Sequence, residues 1–292
     1  MRCTHCREEF EGESVRYKGR DYCCQACAFE ASLRTGSICG SRSSVEAGMR
    51  YARTQDHGMV CDDQPKPARV IAIDGPVAVG KTSVGRLLAQ RLGYRFIDTG
   101  AMYRALTWKA LQLGIDTQDE RRLPQLADEV DIEVQSDTGE PNGYRALVDG
   151  RDVALEIRST EVEATVSLVS RIPEVRRKMV AKQRALAQQG RAVVVGRDIA
   201  TVVLPQAELK IFLVATPEQR ALRRYRELAE SGKGADYDAV LRDLQARDGI
   251  DSTRGDSPLK PDADSRVIDT TELTLEQVVD RIYALARDDR CL

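Results

Sequence analysis

The sequence predicts an α/β fold with a five-stranded parallel sheet, preceded by a small cysteine-rich segment that folds around metal. Three observations carry this reading. From residue 70 onward, short apolar runs alternate with segments of helical spacing. A glycine-rich stretch, Gly75-Pro76-Val77-Ala78-Val79-Gly80-Lys81-Thr82, stands between the first run and the first helix. Five of the eight cysteines fall between Cys3 and Cys27, and the rest of the chain is almost free of them.

The cysteine-rich segment comes first, over residues 1–42. Cys3-x-x-Cys6 is followed, after seventeen residues, by Cys24-x-x-Cys27, a spacing suited to tetrahedral Zn²⁺ in a reducing compartment. Cys23 is an adjacent alternative ligand, and Cys39 or His5 could add one. The stretch from Lys18 to Glu30 resembles the second knuckle of a treble-clef finger and part of the bacterial metallothionein-like fold. That resemblance implies one structural zinc in a segment too small for a core of its own. Residues 1–68 carry ten Lys/Arg and ten Asp/Glu, so no basic field invites nucleic acid. Residues 43–68 read as a linker, closed by two prolines in the polar stretch Asp62 to Ala68.

Beyond the linker lies the larger unit, residues 69–292. Val70 to Ile73, Tyr94 to Ile97, Ala192 to Val195, Leu209 to Ala215 and Arg266 to Ile268 read as its strands. A helix is predicted from Lys81 to Leu92. Between the second and third strands stands an insertion at about residues 128–190. It holds a hairpin, Asp131 to Gln135 with Arg145 to Asp149 around a turn-prone stretch at 138–143, and then a helix from Pro173 to Gln189. A basic helix from Thr216 to Glu230 carries Arg220, Arg223, Arg224 and Arg226.

Gly75 to Thr82 matches GxxxxGK[ST] in full. Glycines let the chain curl so that backbone N–H groups face phosphate oxygens, Lys81 supplies positive charge, and the Thr82 hydroxyl is placed to ligate Mg²⁺. The next candidate is Phe96 to Arg104, at the end of the second strand. Ligands of open α/β sheets bind beyond the carboxyl ends of the strands, so Asp98, Thr99 and Arg104 share a rim with the loop. Asp98 or Thr99 also suits the N-cap of a following helix.

GPVAVGKT followed by FIDTGAMYR is similar to bacterial cytidylate kinase. The likeness extends over about residues 68–292 through Glu156-Ile157-Arg158, Ser167, Pro173 to Arg176, Gly196 to Val203 and Arg247-Asp248 to Arg254. It implies a nucleoside monophosphate kinase fold and transfer of a phosphoryl group from ATP to CMP or dCMP. Gly75 to Ser83 would then hold ATP, aided by Arg220 and Arg224 from a mobile lid at about 218–235. Thr99, Arg104, Arg197 and Arg254 are put on the acceptor phosphate, where arginine forks suit a dianion. Asp198, Arg176 and Ser167 are put on cytosine, and Arg247 and Asp251 near the ribose. A carboxylate facing the N4 amino group would reject the O4 of UMP.

Two features depart from the family pattern. Val195 stands where an acid usually precedes Gly196-Arg197-Asp198, and Val77 and Val79 occupy loop positions where small or hydroxyl residues are commoner. Asp98 is expected to replace the missing acid near Mg²⁺, and the loop works through its backbone. The alternative is a metal-responsive regulatory protein that keeps the kinase fold without turnover. Forty-four basic against forty-six acidic residues call for neither nucleic acid nor an anionic membrane as partner. With no apolar run near about 20 residues and no apolar leader, we expect a cytoplasmic monomer.

Overall fold

The computed structural model of the protein describes residues 15–17, 20–22 and 69–287, apart from positions 138, 141, 142, 231 and 233. The chain divides into two compact units, Met1–Lys66 and Pro67–Leu292. In the first, β1 (Val15–Tyr17) pairs antiparallel with β2 (Arg20–Tyr22), Val15 opposite Tyr22. The proposed zinc ligands Cys3, Cys6, Cys23, Cys24 and Cys27 lie outside the described residues.

The second unit is built on five strands, β3 (Val70–Asp74), β4 (Arg95–Asp98), β8 (Ala192–Val195), β9 (Leu209–Val214) and β10 (Arg266–Asp269). They lie in the order β10-β9-β3-β8-β4, every pair parallel. β3 is central, with Ile73 opposite Val195 on one side and Ile211 on the other. Helices cover such a sheet on both faces, which is why β8 is valine after alanine with all four residues buried. β8 has the predicted bounds, and the other four strands differ from the predicted ones by a residue at one or both ends. Asp74, Asp98 and Asp269 extend three of them, because the ladder continues into acidic residues that the apolar pattern leaves out.

Helix α1 (Lys81–Leu92) springs from the glycine-rich loop and ends at Gly93, whose φ of 67° is left-handed. A Cβ at Gly85 would come 2.5 Å from Val195 Cγ1 and 2.9 Å from the Phe96 ring, so this glycine lets α1 lie close on β8 and β4. Helix α2 (Thr99–Gln112) follows β4 directly, and Asp98 caps it by accepting from Ala101 N–H at 3.2 Å. Ile71, Ile73, Leu88, Met102 and Leu106 are fully buried between sheet and helices.

Ahead of the expected insertion comes α3 (Arg122–Glu129), and the insertion contains an antiparallel sheet of β5 (Ile132–Ser136), β6 (Tyr144–Val148) and β7 (Arg151–Asp152). Helices α4 (Thr160–Ser170) and α5 (Pro173–Ala187) follow. α3, α4 and β7 were not anticipated. β7 has two residues, both exposed, and carries no apolar alternation to announce it. After β9 come α6 (Pro217–Glu230) and α7 (Tyr237–Thr253), joined through Ala221, Val240 and Leu244, and then α8 (Leu275–Ala286) with a Thr274/Gln277 capping box. Among the described residues no helix is long and apolar enough to cross a membrane.

Candidate active site

The glycine-rich loop joins β3 to α1 with Gly75, Ala78 and Gly80 at φ values of 151°, 57° and 100°. At Gly75 the need is absolute, since a Cβ would stand 2.4 Å from the Leu213 carbonyl oxygen of β9. Lys81, only 8% exposed, spans the loop and donates to the carbonyls of Gly75 at 2.8 Å and Pro76 at 2.6 Å. Burial, then the neighbouring charge of Arg197, pushes its pKa well below the usual lysine range. A cation so placed is ready to be stabilised by phosphate oxygens.

At the foot of the loop the Thr82 hydroxyl donates to Asp98 at 3.2 Å. A hydroxyl and a carboxylate in contact form the oxygen donor set that Mg²⁺ takes when it also binds substrate phosphates. Val195 cannot supply such an oxygen, and its side chain is packed against α1 at Gly85. Arg104 approaches the same Asp98 carboxylate at 3.3 Å and the Tyr144 hydroxyl at 3.3 Å.

A second basic group lies across the cavity. Arg197 donates through Nε to Asp251 at 2.7 Å and through a terminal nitrogen to the Gly75 carbonyl at 3.3 Å. Arg254 stands 3.5 Å from Asp251 and 3.8 Å from Asp198. Arg176 pairs with Asp198, their side chains 3% and 6% exposed, and its other terminal nitrogen donates to Ser170 O at 3.1 Å. Thr99 donates to the Val195 carbonyl at 2.8 Å, and Arg247 pairs with Glu163 at 3.0 Å. Burial favours protonation of Glu163, but Arg104, Arg247 and Arg224 together hold its carboxyl below its ordinary pKa. The Nε–H groups of Arg104, Arg176 and Arg247 are buried without an acceptor. Each such donor costs about 1–3 kcal/mol, which an anionic ligand would recover.

These groups line one cavity of about 480 Å³, together with Ser83, Ser167 and the α6 residues Arg223 and Arg224. Arg220, read from the sequence with Arg224 as an ATP contact, is placed differently. It is 5% exposed, donates to Val77 O at 3.0 Å and Ala215 O at 3.2 Å, and pairs with Asp248. The other Asp248 oxygen accepts from Val77 N–H at 3.2 Å. Arg220 and Asp248 thus brace the loop from behind. Arg224 pairs with Glu227 at 2.9 Å, one turn along α6, and Arg223 donates to Thr270 Oγ1 at 3.1 Å.

Asp74 and Glu163 were not anticipated as part of the site, while Arg223 on the basic helix and Asp248 beside Arg247 were named without a role of their own. For Asp74 a signal existed, since a charged residue closing the apolar run Val70 to Ile73 and touching the loop needs a buried partner. It accepts from Ile199 and Ala200 N–H, each at 2.8 Å. Burial raises its pKa to about 6 against those two hydrogen bonds. The folded chain therefore holds this proton more tightly than the unfolded chain. Its contribution to stability is greatest below pH 4 and is lost as pH rises through 6.

A parallel sheet with a phosphate loop after its central strand, a basic helix beside that loop and a second arginine cluster opposite it define a phosphate-loop phosphotransferase of the nucleoside monophosphate kinase class. The cytidylate kinase family model matches residues 71–288. The chain is 48% identical over 214 residues to the cytidylate kinase of Pelotomaculum thermopropionicum, covering 73% of this chain and 94% of that one. It is 49% identical over 218 residues to the cytidylate kinase of a Geobacillus species, covering 75% and 96%, and 47% identical over 214 residues to that of Nocardia farcinica, covering 73% and 91%. The chain belongs to the cytidylate kinase family.

Proposed function

We propose that this chain transfers the γ-phosphoryl group of ATP to the 5′-phosphate of CMP or dCMP, giving the diphosphate and ADP. One observation carries the reading in the geometry. Lys81 on the loop side and Arg197 on the opposite side converge on the single carbonyl of Gly75. Cations from both halves therefore meet where a transferring phosphoryl group would pass.

On this reading residues 75–83 cradle the ATP phosphates, Lys81 holds the β/γ oxygens, and Arg223 and Arg224 approach from the lid. Arg220 acts by bracing Val77. Arg104, Arg197, Arg254 and Thr99 position the acceptor phosphate, Arg247 and Asp251 the ribose, and Asp198, Arg176 and Ser167 the base. The acceptor phosphate is largely ionised at neutral pH, so no general base is required, and catalysis rests on in-line positioning and charge stabilisation. Mg²⁺, held by Thr82 and Asp98, would neutralise charge on the β- and γ-phosphates.

The contact between Thr82 and Asp98 supports Asp98 as the carboxylate that replaces the acid lost at Val195. Asp98→Asn is expected to lower kcat by about 10²-fold, the scale set by one preorganised polar group, and to raise the Mg²⁺ concentration needed for half-maximal rate. A magnesium titration with unchanged midpoint and unchanged kcat would contradict this role.

For the N-terminal segment, the spacing of Cys3, Cys6, Cys24 and Cys27, with Cys23 as alternative, supports one structural zinc. Elemental analysis of protein purified without added metal is expected to find about one zinc per chain. Finding none would leave the cysteines without this role. We take the protein to be a cytoplasmic monomer, and its even charge balance calls for neither nucleic acid nor an anionic membrane as partner.

A further inference from the structure

We propose that Asp74 is a positioning residue for the acceptor nucleotide: by capping the turn that follows Asp198, it releases the Asp198 side chain to face Arg176 and the base. The proposal rests on the assignment of Asp198 to cytosine given above.

Residues Ile199–Val203 form a π-helical turn, and Asp198 occupies its N-cap position. π-helical turns are rare and concentrate at functional sites. The first N–H groups of a helical turn lack internal partners. An aspartate at the N-cap ordinarily supplies one from its own side chain. Asp198 makes no such bond. Instead the two oxygens of Asp74, on the neighbouring strand β3, take the N–H groups of Ile199 and Ala200, each at 2.8 Å. The Asp198 carboxylate is thereby left to Arg176 on one oxygen and Arg254 on the other.

The arrangement also ties acceptor to donor. Asp74 is adjacent in sequence to Gly75, whose carbonyl receives both Lys81 and Arg197. Asp74 is 1% exposed, and no ion pair is formed with its carboxylate among the described residues. Lys81 is the nearby positive charge that favours its ionised form. A carboxylate offers two acceptors and no donor, as two adjacent N–H groups require.

Asp74→Asn keeps the shape but turns an NH₂ group toward one of those N–H groups. Asp198 is then drawn back to cap its own turn. In the full chain we expect the KM for CMP to rise about tenfold or more, the KM for ATP to stay within about twofold, and the preference for CMP over UMP in kcat/KM to fall about tenfold. Unchanged KM and preference would overturn the proposal. So would a fall in kcat alone with both KM values unchanged, the mark of a smaller folded fraction. If Asp74→Asn does not fold, Asp74→Ser, which retains one acceptor oxygen, is read in the same way. Loss of folding in both would also overturn the proposal, because Asp74 would then serve the fold as a whole. Asp198→Asn measured alongside separates the two readings. Unchanged preference for CMP in that variant contradicts the assignment of Asp198, while Asp74 is still judged on the KM for CMP, which depends on Arg197 as well.

Discussion

Replacing Lys81 by alanine is expected to reduce kcat by at least about 10³-fold while leaving the domain folded. The ammonium is held under the phosphate loop by two carbonyls at 2.8 and 2.6 Å, where burial and Arg197 already oppose its charge. A cation in that position gains most when negative charge develops beside it, and the loss of even one preorganised donor costs about 10²- to 10³-fold. Stability should change little. The variant frees two loop carbonyls but also removes a buried charge that the fold keeps at a cost. Steady-state turnover and a urea denaturation curve measured on the same preparation check both halves. Near-normal turnover in a folded variant would remove the loop lysine from the mechanism.

A second large effect is expected at Asp198. Its carboxylate is the partner of Arg176 deep in the cavity wall, with side chains 6% and 3% exposed. The Arg176 guanidinium also lies 5.6 Å from the Tyr103 ring centroid. Asp198→Asn leaves that guanidinium without its counter-charge and, on the proposal that Asp198 faces the cytosine amino group, puts an NH₂ group in place of one of its two acceptor oxygens. Breaking a buried pair on one side costs about 3–5 kcal/mol, so the denaturation midpoint should fall clearly. The kcat/KM for CMP should fall by about 10²- to 10³-fold, in line with about 3–4 kcal/mol of lost recognition. UMP, which never gained from the carboxylate, should lose much less. Equal losses for the two nucleotides would place Asp198 in the scaffold and not in base recognition.

Much of the fold was legible because the buried parallel strands are short apolar runs and α1 begins at a glycine-rich loop. Val70 to Ile73 and Ala192 to Val195 could be read almost residue for residue for that reason. The hairpin was located by its turn residues, and only the bounds of its strands moved by a position. What the pattern did not reveal are contacts between chain segments far apart in sequence. Asp248 and Arg220 are 28 positions apart and meet behind Val77. Asp74 reaches Ile199 across 125 positions. Glu163 lies in α4 on a helix turn that reads as solvated, yet it sits among Arg104, Arg224 and Arg247. A linear pattern shows that a helix is charged. Which of its charges turn inward depends on what the neighbouring helices bring. Arg220 and Arg224 illustrate this, since four positions on α6 separate a buried brace from a cavity-lining residue.

The account is tested most directly by ADP formation from Mg-ATP with CMP, dCMP, UMP and AMP in separate reactions, using the full chain and a chain shortened to begin at Ala68. It predicts rapid ADP formation with CMP and dCMP in both, and slow formation with UMP and AMP. Absence of ADP with every acceptor would contradict it. Val195 in place of the usual acid would then be disabling, and the protein would be a kinase fold kept for regulation or binding.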